Sequence, residues 1–238
     1  MMTNKHLSTQ FDAELNSIST QIMELGGLVE SQMTLAITAL TSFDIEVSDK
    51  VIELEHKVNS MEVEIDKNLV SMIARRQPTA RDLRLLMAIS KTTNNLERAG
   101  DEATKIARMV KSIIEHGISR NLMGAELRFM ANLALDLLHK SLDAFARLDI
   151  KAALYIMRSD NEIDVEFGGF IRKLITYMME DPRMITPSLD LLFIAKALER
   201  IGDHAKNIAE LIIYIVKGED VRHVAMEEIE SLTQNSEG

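Results

Sequence analysis

Two carboxylate pairs at matching places in the chain are the residues best suited to chemistry. Residues 96–107 read LERAGDEATKIA and residues 198–209 read LERIGDHAKNIA, identical at eight of twelve positions. Each copy holds two acids four residues apart, Glu97/Asp101 and Glu199/Asp203. On a helix, positions i and i+4 share a face, so each pair is directed at one spot. Like charges so placed destabilise a helix by about 0.2–0.5 kcal/mol. The glycine between them costs roughly another 0.5–1 kcal/mol relative to alanine. The same cost in both copies calls for compensation, most simply a bound cation. The competing reading of any single ExxxD is a solvated helix face, and Glu162/Glu166 shows how readily the spacing arises.

Further acids extend the set. Asp160 and Asp164 lie in SDNEIDVEF, on the helix preceding the second pair. At the aligned place in the first half stand Glu55 and Asn59, with Glu62 and Asp66 following within two turns. Facing acid pairs offer four or more oxygens, and because carboxylates bridge, a multinuclear site is open to them. Hard oxygen donors suit magnesium, manganese, calcium or ferric iron. For Glu55, Glu62 and Asp66 ordinary surface or packing roles compete with this reading. Arg98 and Arg200 read as solvated or interhelical ion-pair partners, with screening of the acids as the alternative. His204 reads as an exposed or capping histidine, with ligation as its alternative. The turn RRQPTARDLR gathers Arg75, Arg76, Arg81 and Arg84. It fits a solvated helix end, an anion site at a helix N-terminus, or a contact with an acidic partner.

The elements that must position these residues are helical. Ile18, Ile22, Leu25, Val29, Met33, Ala36 and Leu40 recur at steps of three and four, as do Val47, Val51, Leu54, Val58, Met61, Ile65, Leu69 and Met72. A third seam runs through Leu86, Ile89, Leu96, Gly100, Ala103, Ala107, Val110 and Ile114. These are bundle seams. Gly100 and Gly202 fall on them and let a neighbouring helix approach. The pattern predicts helices near 5–43, 46–75, 80–116, 120–148, 150–179 and 186–217. The fold class is therefore all-α, with six long helices in two tandem, pseudo-symmetric three-helix bundles. The first unit is 1–117, the second 118–217, and 218–238 is an acidic tail with room for one short helix. Helices this long present more surface than one trio covers, which predicts a homodimer. Gly168-Gly169 reads as a mid-helix close-packing point.

Composition excludes several classes. The net charge of −10 over 238 residues offers no basic footprint for nucleic acid. Absence of cysteine removes disulfides, thiolate nucleophiles and cysteine-held zinc. No apolar run is long enough to span a membrane, and the start MMTNKHLSTQFDAEL lacks the apolar core of a secretory signal. A cytoplasmic protein is expected. No HExxH, GxSxG, P-loop or GxGxxG occurs, so no nucleophile–base arrangement and no catalytic residue is expected. Glu53-x-x-His56 matches half of a ferritin-like di-iron motif, but no second Glu-x-x-His answers it.

The duplicated LERxGDxxxxIA, together with RRQPTARDLR, HLSTQFDAELNSI, VNSMEVEID, AFARLDI, TYMMEDPR and IIYIVKGEDVRH, resembles the PhoU family over nearly the whole length. The resemblance implies two pseudo-symmetric three-helix bundles whose paired acidic motifs hold multinuclear metal clusters. By position these fall on Glu97/Asp101 and Glu199/Asp203, with Asp160/Asp164 facing the second pair. Iron, zinc, manganese or magnesium are the candidate ions. The first unit departs from the pattern at Asn59 and Asn95, each removing a negative ligand, which implies a weaker, different or empty first site. The resemblance further implies a non-enzymatic negative regulator of phosphate uptake and of the phosphate-starvation response. Such an adaptor joins the ATPase subunit of a phosphate ABC transporter to a sensor histidine kinase. The alternatives are a ferritin-like carboxylate metalloenzyme, and a metal-storage or scaffolding bundle.

Overall fold

The computed structural model describes residues 3–116 and 124–234, with side chains over 10–116 and 124–233. Helices α1 (Thr3–Ser42), α2 (Ile45–Arg76) and α3 (Ala80–Glu115) form one antiparallel trio. Helices α4 (Ala125–Arg147), α5 (Ile150–Glu180) and α6 (Ile185–Lys217) form the second, and a short helix α7 (Met226–Gln234) follows. A single 3-10 turn, Pro182–Met184, leads into α6, and no strand occurs among the described residues. The unit boundary expected at 117–118, and an α4 start at 120, lie outside the described residues. Where description resumes, Gly124 is still non-helical and caps α4.

Local chemistry sets the helix ends. Asp44 accepts from the backbone N–H of Glu46 at 2.8 Å and of Val47 at 3.3 Å, capping α2. Asp149 does the same for α5, accepting from Lys151 at 2.9 Å and Ala152 at 3.1 Å. A carboxylate at this position satisfies otherwise orphaned donors, commonly worth about 1 kcal/mol. Gly218 closes α6 with φ +81°, a left-handed conformation that suits glycine.

The seam residues of α1 are all buried, as are Val51, Val58, Ile65, Leu69 and Met72 on α2. One continuous core runs through both trios. Its spine is the pair α3–α6, which cross antiparallel: Arg84 lies against Gly218, Asn95 meets Asn207, Glu102 meets Arg200, and Ser112 meets Asp190. Helices α1 and α4 also touch. The tail is more ordered than an acidic sequence suggests. Val221 and Ile229 are buried, Arg158 pairs with Glu230, and Lys217 donates to the Thr233 carbonyl at 3.1 Å.

Two expectations are corrected. A Cβ built on Gly168 or Gly169 meets nothing, so these glycines in α5 mark open space and not close packing. His204 is buried at 7% exposure, neither exposed nor a cap.

Candidate functional site

In the first unit the acids lie where α2 and α3 meet. Burial raises the proton affinity of Glu97, and Asp101, Glu62 and Glu55 raise it further. Glu62 is raised the same way, first by burial and then by Asp66, with Asp101 contributing. The four-residue spacing on α3 and the facing α2 therefore do bring these carboxylates into electrostatic contact. Three of the set have partners already, Glu62 through the Asn94 amide. Arg108 pairs with Glu55 at 2.9 Å, and Ser90 donates to Asp66 at 3.3 Å. Among the described residues, no cation lies within ion-pair distance of Glu97 or Asp101. Glu62 and Asp66 also line a polar hollow of about 470 Å³, shared with Asn95 on α3 and Glu210 on α6.

Gly100 does what its seam position predicts. A Cβ there would come within 2.8 Å of the Gln32 oxygen and 3.3 Å of Val58. Gln32, on α1, is fully buried; its amide donates to the Val51 carbonyl at 3.1 Å and to the Thr104 hydroxyl at 3.0 Å. Its oxygen has no partner. Nothing in the apolar periodicity of α1 singles out Gln32, although a glutamine on a core helix is the signal that could have found it.

The second unit differs. Asp160 is 2% exposed, and burial raises its proton affinity while Lys206 opposes the shift. Lys206 Nζ donates to Asp160 Oδ2 at 3.0 Å. Burial pushes the Asp203 carboxyl up to about 6, and Glu199, Asp160 and Asp164 add to the rise. Lys196 holds Glu199 Oε1 at 2.6 Å, while Glu199 Oε2 is buried without a partner. A Cβ on Gly202 would meet Ile163 at 2.7 Å and Asp160 Oδ1 at 3.1 Å, so this glycine lets α5 bring Asp160 alongside α6. Part of the compensation that the sequence assigns to a cation is thus supplied by two lysines. Lys206 stands three residues beyond Asp203, and its role depends on an interhelical contact that one-dimensional spacing does not reveal.

As potential ligands the carboxylates have the right donor chemistry, and an orphaned Glu199 oxygen is free to take an ion. No three His, Asp or Glu side chains among the described residues converge as a ready metal cage. Asn59 is half-buried with its oxygen unpartnered. Asn95 is engaged elsewhere: its oxygen accepts from Nδ2 of Asn207 and lies 3.1 Å from Nδ1 of His204, across the α3–α6 seam. Burial lowers the His204 imidazole to about 4, and Arg200, Arg98 and Lys105 add to the effect. Held neutral, the imidazole donates to the Asn95 oxygen in its Nδ1–H tautomer.

The four arginines of the basic turn are divided by the fold. Arg75 and Arg76 both reach Glu14 on α1, at 3.4 and 2.6 Å. Arg84 lies against the end of α6 at Gly218, with its Nε buried and unpartnered, and Arg81 is exposed. Glu53 and His56, the half-motif of a di-iron centre, are both exposed on α2.

Two pseudo-equivalent helical trios, each with an acidic face between its second and third helices, define a tandem helical-bundle protein. A sequence model described as "PhoU domain" matches twice, over residues 22–110 and 127–212. The chain belongs to the PhoU family. It is 48% identical to the "Phosphate-specific transport system accessory protein PhoU" of Escherichia coli (strain K12), over 96% of this chain and 94% of that protein. The protein of the same description from Serratia marcescens is 49% identical, over 96% and 93% of the two chains. The crystal structure of PhoU from Pseudomonas aeruginosa superimposes with a TM-score of 0.84 at 43% identity, covering 88% of this chain and all of that one. The phosphate transport system regulatory protein PhoU from Streptococcus pneumoniae gives 0.81 at 30% identity, over 89% and 99%.

Proposed function

We propose that this chain is an accessory protein of a phosphate-specific transport system, acting in the cytoplasm as a negative regulator of phosphate uptake and of the phosphate-starvation response. The observation that carries the reading is near-full-length similarity, 48% over 96% of the chain, to a relative named as a phosphate-specific transport system accessory protein. The adaptor has two partners, the ATPase subunit of the phosphate ABC transporter and a sensor histidine kinase, and it works without catalysing a reaction. Phosphate status acts by favouring one partner, or one partner conformation, through differential affinity. No helix among the described residues is long and apolar enough to cross a membrane, which fits a protein that meets membrane-bound partners from outside the bilayer. A homodimer is part of the same reading. Deleting the gene tests it: phosphatase expression rises in high phosphate, and the purified chain binds the ATPase subunit and the kinase. A deletion strain that keeps the response shut, or a chain that binds neither partner, removes the proposal.

The acidic faces take metal in this reading. Glu199, Asp203, Asp160 and Asp164 would hold an ion in the second unit, and Glu97, Asp101 and Glu62 in the first, each set after side-chain rotation. Magnesium, manganese, iron and zinc remain the candidate ions. The bound charge would offset the burial and, after it, the mutual repulsion that raise Asp203 and Glu97. Elemental analysis of protein purified without chelator tests this: Glu199→Ala/Asp203→Ala loses metal relative to the parent. Equal metal content in the two proteins would discard the assignment. No observation favours a ferritin-like centre: Glu53 and His56 are exposed on α2, and no metal cage of His, Asp or Glu is formed among the described residues.

A further inference from the structure

The duplicated trios place two hollows along the α3–α6 seam, one toward each end, and the two linings have diverged. Lys91 in the first copy corresponds to Phe193 in the second, and Asn95 corresponds to Ala197. On the Lys91 side the surface is polar. The Lys91 ammonium lies 5.5 Å from the Tyr214 ring centre, and Asn95 is engaged with His204 and Asn207. The other hollow, of about 560 Å³, is floored by Phe193, Met109 and Ala197. Phe193 is 58% exposed. The apolar surface continues from it toward the start of α6 through Leu189 and Ile185, both exposed and spaced four apart. That spacing keeps all three on one helix face, a stripe about 12 Å long.

Around this stripe the cations lie outside the acids. Lys105, Lys196 and Arg200 stand exposed at its rim. The two acids of the same hollow, Glu102 and Asp190, are buried. Each rim cation is anchored by an acid beneath it: Lys105 lies 2.6 Å and Arg200 3.5 Å from Glu102, Lys196 lies 2.6 Å from the largely covered Glu199, and Ser112 donates to Asp190 at 3.0 Å. An approaching partner therefore meets cations first, on a chain whose net charge is −10.

We infer that the groove of α3 and α6 docks an acidic amphipathic helix of a partner protein, its apolar residues on Ile185, Leu189 and Phe193 and its carboxylates on Lys105, Lys196 and Arg200. The stripe has the length and four-residue spacing that a helix laid in a groove requires. A second copy of this chain is disfavoured, because a two-fold contact through this face sets basic rim against basic rim. The inference stands on this surface alone, whatever the regulatory role.

The full-length protein is offered a display library of helices of about 20 residues. Apolar residues are fixed at i, i+4 and i+8, and the flanking sites are free to be Glu or Lys. The expected winners carry Glu flanks and lose affinity as salt rises. Phe193→Ala weakens them by roughly tenfold or more, and Lys105→Glu/Arg200→Glu turns the preference toward Lys. Leu189→Glu, at a second exposed site, abolishes binding while circular dichroism matches the parent. No enrichment, Lys-rich or charge-blind winners, or binding indifferent to Phe193→Ala and Leu189→Glu overturns the inference. So does sedimentation showing self-association that Phe193→Glu disperses, since the occupant is then a second copy.

Discussion

Glycines on adjoining helices make opposite predictions at the residue scale. Gly202→Ala forces a methyl to within 2.7 Å of Ile163 and 3.1 Å of an Asp160 oxygen, so it lowers stability. Overpacking costs about 1–3 kcal/mol, of which alanine's helix propensity returns roughly 0.5–1 kcal/mol. Gly168→Ala meets nothing and raises stability by roughly 0.5–1 kcal/mol through helix propensity. Urea unfolding of the two variants checks both signs. Two titrating groups give a second test. His204 is held near 4, below its ordinary value of 6.5. Between those pH values the unfolded chain binds more protons than the folded one, so stability gained from this group rises with pH. Asp203 is raised to about 6 from 3.8, so the folded chain binds more protons and stability falls with pH across that window. His204→Gln should therefore make the slope of stability against pH more negative between 4 and 6.5. Asp203→Asn should make it more positive between 3.8 and 6. Chemical denaturation across this range, in chelator, decides; unchanged slopes would refute the burial argument for both.

At the scale of elements, the α5–α6 contact is pinned by one ion pair with one buried end. Lys206→Met leaves Asp160 buried and unpaired, and should cost roughly 2–3 kcal/mol. Adding Asp160→Asn restores much of that loss, because the stranded charge is gone; a double-mutant cycle of unfolding energies measures the coupling. The helices themselves were legible in the sequence. Ile18 to Leu40 and Val51 to Met72 repeat at the helical period, and those stripes are the buried ones. The Asp44 and Asp149 caps show in the sequence only as an Asp-Ile pair, 44–45 and 149–150, at matching places in the two halves. What periodicity cannot give is which side chain on one helix answers which on another. Asp160 with Lys206, Gln32 with Thr104, and Asn95 with His204 all join residues far apart in the chain. Asn95 shows the consequence. Read along one helix it is a missing ligand; across the seam it is an acceptor serving α6. The acid pairs themselves were found, since repetition exposes them, but the lysines beside them carry no such mark.

For the whole molecule, the shared α3–α6 spine makes each trio incomplete alone. Residues 1–117 expressed without the rest would expose the α3 face that α6 covers, where Ala99, Ala103 and Ile106 are buried. That fragment should self-associate or unfold more readily than the intact chain, seen by light scattering and urea titration. A monomeric fragment as stable as its parent would contradict a continuous core. The register of the spine has a mechanical corollary. Contacts from Arg84–Gly218 to Ser112–Asp190 keep one antiparallel alignment, which brings Gly100 and Gly202 level with each other. Sliding α3 by one residue along α6 would displace one half against the other by about 1.5 Å. The two halves are thus held in one register, and neither carboxylate patch can shift along the seam without shifting against its twin.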